Sequence, residues 1–406
     1  MRVCFLSRRY FPTISGMSVY ADNMVRQMVA LGHDVTMFSQ YYGGEAAGVY
    51  GGGPPPEIDG ATVVGVESVG EQAGGDFEGD IERLAQMVES AHKSEAFDVV
   101  HAQYGYPTGY AALVAARRLG LPCVVSIQGG DGHWVGECCG THREAMRKVC
   151  RDSDAVLIGS DSFADEVAGR LQVPRDVFTI IPGAVDTHRF LPCQSRAIGD
   201  LSDPPRLLYH GRVDRRKGVL ELLDAADLLR RDGRAFHLKI SGIGPDYEAA
   251  RQRAKDLPDV EVSGYADYFS AADVYRGGDV FVSPTHAEGF SNTILEAMAS
   301  GLPIVSCEAV GVVDCLSDER DALLVGVSDV PALAEAIVRM LDDAPLRRQL
   351  AERALDEVRA QYSWPSVATQ ISDVYQRVVR SGPRLTFEPL AGPPDPCRFR
   401  TKPHLL

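Results

Sequence analysis

The feature that most restricts the fold of this chain is an alternation of short apolar runs with amphipathic helical stretches, which begins at the N-terminus, pauses once and restarts. Residues 3–6 form an apolar run, a turn-rich stretch through Pro12 and Gly16 follows, and a helical pattern continues to about residue 31. Further strand-like runs at 33–38, 61–66, 98–101, 123–127 and 155–158 are separated by helical segments and by two glycine- and proline-bearing loops, 43–60 and 70–80. Such alternation implies a parallel sheet covered by helices. From Pro192 to Pro205 the chain turns polar and proline-bearing, and the pattern then resumes with runs at 206–209, 236–240, 260–262, 280–283 and 303–306. The expected fold is α/β, with two Rossmann-like parallel-sheet domains facing across a cleft. The length agrees, since 406 residues exceed what one hydrophobic core usually organises. The domains read as 1–190 and 191–365, followed by a helix over 366–380 and a proline-rich tail over 381–406 expected to be disordered.

Charge and cysteine usage exclude several classes. A formal net charge of −15 argues against nucleic acid as a partner and disfavours an anionic membrane surface. The nine cysteines are an odd number scattered over the chain, and no apolar segment near Met1 has the length of a signal peptide. The reading is a cytoplasmic protein with reduced thiols, its oligomeric state left open.

Two constellations point to chemistry. Glu288-Gly289-Phe290-Ser291-Asn292-Thr293-Ile294-Leu295-Glu296 follows a strand and opens a helix. Unpaired amides and the positive end of a helix dipole make that place suitable for phosphate. Two carboxylates eight apart are by themselves often a solvated face, but Phe290 between Gly289 and Ser291, and the small residues after Glu296, describe a tightly packed loop. The second constellation, Gly211-Arg212-Val213-Asp214-Arg215-Arg216-Lys217-Gly218, lies between a strand and a helix at the mouth of the second sheet. Ligands of open α/β sheets bind outside the carboxyl ends of strands, where Arg212 and Lys217 can pair with a diphosphate. Arg215 and Arg216 read as a solvated basic turn. Near the N-terminus, Gly16 sits in a turn just before a helix, suited to close backbone approach to an anion.

These segments resemble glycosyltransferase family 4, retaining enzymes of the GT-B fold, from the first strand to about residue 380. Glu288 and Glu296 match the family's Glu-x7-Glu motif, Gly211-Arg212 with Lys217-Gly218 its phosphate clamp, and Ile181-Pro182-Gly183-Ala184-Val185-Asp186 with Phe190 its hinge, although Gly183-Ala184 stands where Asn-Gly is common. Trp364 precedes a last helix that in the family crosses back to the first domain. The resemblance implies a hexosyltransferase that moves sugar from a nucleoside-diphosphate-sugar, UDP- or GDP-linked, with retention of configuration. It implies Arg212 and Lys217 on the diphosphate, Glu296 on the ribose hydroxyls, Glu288 on the donor sugar, the amides of Gly289, Phe290 and Ser291 assisting, and Gly16 facing the phosphates across the cleft. Arg212, Lys217 and Glu288 are the catalytic candidates. On the acceptor side the matching positions are Tyr104 and the loop after Ile127, including Gln128 and Asp131. Gln128 stands where the family usually has histidine, and an amide takes no proton, so no general base is expected there. The acceptor is expected to be a soluble polar small molecule rather than a lipid-linked glycan.

Other signals in the sequence point elsewhere but are weaker. Neither a cofactor besides the donor nor a metal is expected: Asp152-Ser153-Asp154 reads as a polar turn, and among His133, Cys138, Cys139 and His142 the adjacent cysteines do not match Cys-x2-Cys spacing. Gly242-Ile243-Gly244 has Tyr247 where a dinucleotide fingerprint needs its third glycine. His101 reads as a hydrogen-bonded core histidine. A nucleotide-sugar epimerase and a non-catalytic sugar-nucleotide sensor are the rival functions, separated from a transferase by product analysis and by a donor-hydrolysis assay.

Overall fold

The apolar runs of the first half become β1 (Arg2–Ser7), β2 (Asp34–Tyr41), β3 (Ala61–Glu67), β4 (Val99–Gln103), β5 (Cys123–Ile127) and β6 (Ala155–Ile158), joined by a short edge strand β7 (Phe178–Ile180). All pair in parallel, in the order β3-β2-β1-β4-β5-β6-β7. Every residue of β4, β5 and β6 is buried, as required of central strands with helices on both faces. This computed structural model describes residues 1–13, 15–43, 47, 51–264 and 270–402. The chain divides into two units, Met1–Pro182 with Pro365–Leu406, and Gly183–Trp364. The sequence reading set that division at 190/191.

The second unit repeats the architecture with β8 (Arg206–His210), β9 (His237–Ser241), β10 (Val260–Gly264), β11 (Val280–Ser283), β12 (Ile304–Cys307) and β13 (Leu323–Val325). Its parallel order is β10-β9-β8-β11-β12-β13. Helix Val219–Arg231 turns Leu222, Leu223 and Ala226 onto Ile240, Val282 and Val305, and Ile337 and Met340 of helix Val330–Asp342 complete that core. Strands β7 and β13, three residues each, have no counterpart in the sequence reading, because so short a run carries no period of its own.

In both sheets the strand order reverses once, between β1 and β4 and between β8 and β11. At such a reversal the connections leave in opposite directions and open a crevice at the strands' carboxyl ends. The chain passes between units at 182/183 and at 364/365. Inside the second unit these two ends run together: Val185 N–H donates to the Tyr362 carbonyl at 2.9 Å, and Trp364 N–H to the Val185 carbonyl at 3.3 Å.

Helix Trp364–Ser381 packs on the first sheet, where Tyr375 is buried against His101. The tail behind it, expected to be disordered, also lies against the first unit. Phe399 is buried, Arg400 forms a two-pronged ion pair with Glu78 at 2.6 and 2.8 Å, and Asp395 and Thr141 exchange hydrogen bonds at 2.8 and 2.9 Å. Single apolar and charged residues hold this segment, so no periodic pattern announced it.

Candidate active site

In the second unit the loop after β8 is built on close backbone contact. Gly211 and Gly242 have φ of +145° and +146°, and a Cβ on Gly242 would overlap the Gly211 carbonyl oxygen. The glycine pair that sequence set aside as an incomplete fingerprint is therefore explained by packing: Gly244 likewise lies on the Val213 backbone, and Val213 N–H donates to the Ile243 carbonyl at 2.9 Å. Gly218 (φ +69°) presses in the same way on the Pro284 carbonyl. The loops that follow β8, β9 and β11 are thus held as one body at the carboxyl ends of their strands.

That body presents the charged groups. The Lys217 ammonium lies 2.8 Å from Glu288 Oε2 and donates to the Ala287 carbonyl at 3.0 Å. Glu288 Oε1 accepts from the Thr285 hydroxyl at 3.2 Å, and Glu288 N–H donates to the Val310 carbonyl at 2.9 Å. Arg212 Nε lies 3.3 Å from Asp214 Oδ2, with its side chain 43% exposed. Burial works to raise the Asp214 carboxyl, but hydrogen bonds from Arg216 and the charges of Arg216 and Arg212 outweigh it and hold it at about 2. Asp214 stays anionic and aims Arg212. Arg215 and Arg216 are exposed, as the sequence suggested, and each is ion-paired, with Asp246 and Asp214.

Ser291 precedes helix Asn292–Ala299 and is buried, while the Phe290 ring packs tilted against Tyr362 with centroids 5.3 Å apart. One turn into that helix Glu296 is buried, its Oε2 accepting from the Tyr275 hydroxyl at 2.7 Å. Burial pushes the Glu296 carboxyl up to about 7, against the Tyr275 hydrogen bond and the Arg189 charge. The structure thus brings Arg212, Lys217, Glu288, Gly289, Phe290, Ser291 and Glu296 onto the loops and helix beyond β8 and β11. Asp214, Tyr275, Thr285 and Arg189 were missed in sequence. Asp214 lay inside the quoted basic loop, whereas the others take their places only through tertiary packing.

In the first unit the equivalent crevice lies beyond β1 and β4. Gln103 ties its walls together, accepting from Ser7 Oγ at 3.1 Å and donating to the Met17 carbonyl at 2.9 Å. Gly16 opens helix Gly16–Ala30 behind the N-cap Ser15, and a Cβ there would meet nothing within 4 Å, which leaves its backbone open to approach. Tyr104 and Asp131 depart from the acceptor-contact reading. Tyr104 (φ +84°) is buried with its hydroxyl against Gly130. Asp131 is fully buried and accepts from the amides of Gly105 at 2.5 Å and Gln128 at 2.7 Å. Burial raises the Asp131 carboxyl to about 7 despite those amides. Both residues fix the loop rather than face solvent, because the turn from β5 into helix Gly129–Trp134 needs an internal cap. Gln128, half-buried at the N-cap, remains at the strand end. His101 is a core histidine, bonded to Tyr375 Oη at 2.5 Å and Ser126 Oγ at 2.8 Å, and burial lowers its pKa to about 3.

Of the residues set aside as metal candidates, His133 turns away to Glu166 at 2.9 Å. Cys138, Cys139 and His142 converge instead with Cys397 from the tail. No helix among the described residues is long and apolar enough to cross a membrane.

Two parallel sheets, one in each unit, with charged groups gathered at a strand-order reversal agree with what comparison with known proteins finds. A model described as "Glycosyl transferase 4-like domain" matches residues 15–184, and one described as "Glycosyl transferases group 1" matches residues 204–343. The chain is a glycosyltransferase of the GT-B fold. Among particular relatives, it is similar to a glycogen synthase of Mycobacterium tuberculosis, 26% identical over 92% of this chain and 94% of the relative. It is also similar to D-inositol 3-phosphate glycosyltransferase 2 of Catenulispora acidiphila, 27% identical over 92% of this chain and 93% of the relative. Its fold resembles that of Anabaena HepE, solved in complex with UDP and glucose, at a TM-score of 0.70 and 15% identity over 93% of this chain and all of that one.

Proposed function

We propose that the chain transfers a hexose from a UDP- or GDP-linked donor to a soluble polar small-molecule acceptor, with retention of configuration and without a further cofactor. The observation that carries this reading is the Lys217–Glu288 pair, 2.8 Å apart at the strand-order reversal of the second sheet and beside the partly exposed Arg212. A cation there is available to a diphosphate, and its carboxylate partner to the hydroxyls of the sugar attached. Arg212 and Lys217 stabilise the charge that develops on the leaving diphosphate as the glycosidic bond breaks. We assign that neutralisation to these side chains rather than to a metal. Glu296 accepts from the ribose hydroxyls, Glu288 orients the sugar, and the amides of Gly289, Phe290 and Ser291 assist at the helix N-terminus. Gly16 offers its backbone to phosphate, and Gln128 positions acceptor or sugar by hydrogen bonding.

Retention follows the resemblance to family 4, and same-face attack needs no protein nucleophile, in keeping with Asp131 being committed to the backbone amides of Gly105 and Gln128. Attack then comes from the face the leaving group departs, with a donor phosphate oxygen taking the acceptor proton. UDP and glucose in the HepE complex support the donor class, and the net charge of −15 favours a soluble acceptor over an anionic lipid surface. The test is transfer measured with UDP- and GDP-hexoses for wild type, Arg212→Ala and Lys217→Ala. Each variant is expected to lose on the order of 10²-fold in turnover, as when one charge-stabilising donor is removed, and wild-type turnover in both would refute the assignment.

A further inference from the structure

The convergence of Cys138, Cys139, His142 and Cys397 is not used by the transfer reaction and has no counterpart in the motifs that define it. Their ligand atoms all lie within 4.8 Å of one another. His142 Nδ1 is 3.0 Å from Cys138 Sγ and 3.6 Å from Cys397 Sγ, and Cys139 Sγ accepts the His142 backbone N–H at 3.4 Å. An imidazole nitrogen has one lone pair, or one proton, in the ring plane, so it cannot satisfy two thiols by hydrogen bonding. One cation at the centre satisfies all four groups. A tetrahedral zinc ion with Zn–S of about 2.3 Å and Zn–N of about 2.0 Å separates its ligand atoms by roughly 3.5–3.8 Å, close to the spacing already present.

The surroundings favour the same reading. The His142 ring is fully buried and its orientation is fixed by Tyr106 and Phe77, at centroid distances of 4.5 and 5.6 Å. Cys139 caps helix Gly140–Asp152, and its sulfur already takes a backbone N–H, the kind of outer contact that supports a metal thiolate. Cys397 reaches the cluster because the contacts of Asp395, Phe399 and Arg400 dock its segment beside it. Three sulfurs and one nitrogen in a closed set of four are the donors of a structural zinc site, with no position left open for substrate.

We propose that Cys138, Cys139, His142 and Cys397 bind one zinc ion that fastens the C-terminal segment to the first unit. Three Zn–S bonds and one Zn–N bond form, three thiol protons pass to solvent, and no electron is transferred. The adjacent cysteines that broke the usual sequence spacing serve because the fourth ligand comes from 255 residues further on.

The full chain, purified without a metal-binding tag, is expected to carry one zinc per molecule by plasma mass spectrometry. Cobalt substitution should give thiolate charge-transfer absorption and the intense visible bands of a tetrahedral site. Cys397→Ser, which leaves the sheets untouched, is expected to weaken zinc at least about tenfold in competition with a chromophoric chelator, since even outer-shell losses cost that much. Cys193→Ser, outside the cluster, should match wild type. Chelation should expose the C-terminal segment to limited proteolysis in wild type and leave Cys397→Ser unchanged. A reduced wild-type chain that takes up no zinc, zinc held equally by Cys397→Ser, or a disulfide joining Cys397 to Cys138 or Cys139 in the unreduced protein would each overturn the proposal.

Discussion

Glu296 shows how a single side chain can couple ligand to pH. Its carboxyl is pushed up to about 7 by burial; in the proposed role it accepts ribose hydroxyls best as the anion, so nucleotide binding below neutrality would release its proton. Affinity for UDP or GDP is expected to fall by about tenfold from pH 8 to pH 6, as the anionic fraction of one such group falls. Glu296→Gln should bind more weakly at pH 8 and keep only the dependence owed to the nucleotide's own phosphate. Calorimetry in buffers of different ionisation enthalpy checks this directly, because equal proton release by wild type and variant removes Glu296 from the ribose site. Part of this scale was legible beforehand: Lys217 and Glu288, singled out in separate loops of the sequence, lie 2.8 Å apart. Asp131 was not, since whether a carboxylate faces solvent or caps its own loop depends on Gly105, which reaches it from 26 residues upstream.

At the scale of elements, the loops beyond β8, β9 and β11 keep their shape by backbone pressing on backbone. Gly242→Ala would drive a methyl group into the Gly211 carbonyl and displace the loop that carries Arg212. A cost of about 1–3 kcal/mol in stability is expected, as for other overpacked sites, together with weakened nucleotide affinity. Gly233→Ala is the control: its φ is +74°, yet a Cβ there meets nothing within 4 Å, so stability falls while affinity stays. Thermal unfolding and nucleotide titration of both variants separate strain at a turn from displacement of the site. The strands that carry these loops were readable because buried parallel strands are continuous apolar runs, whereas β7 and β13 at the sheet edges were too short to read. The glycines were visible as letters, but which of them were pressed against another chain segment was decided by register between β8 and β9.

For the whole molecule, buried histidines add to the loss of stability in acid. Burial lowers His101 to about 3, well below the ordinary 6.5, so the folded chain binds fewer protons than the unfolded one in between. Its contribution is fully present above about pH 6.5 and is lost as pH falls toward 3. His210, lowered by burial to about 4, acts in the same direction. His101→Gln is expected to be less stable at pH 7.5 but to lose less of its melting temperature than wild type between pH 6.5 and 4.5. Parallel curves would show that His101 does not titrate on unfolding. Because the helix carrying Tyr375 belongs to the first unit, the second unit begins and ends at adjoining backbone, where Val185 meets Tyr362 and Trp364. Topologically it is a cassette inserted into a host. Replacing residues 183–364 by the same segment of a relative needs only two cuts at one spot, and under the proposed division of roles donor choice would travel with the insert while the host kept its acceptor.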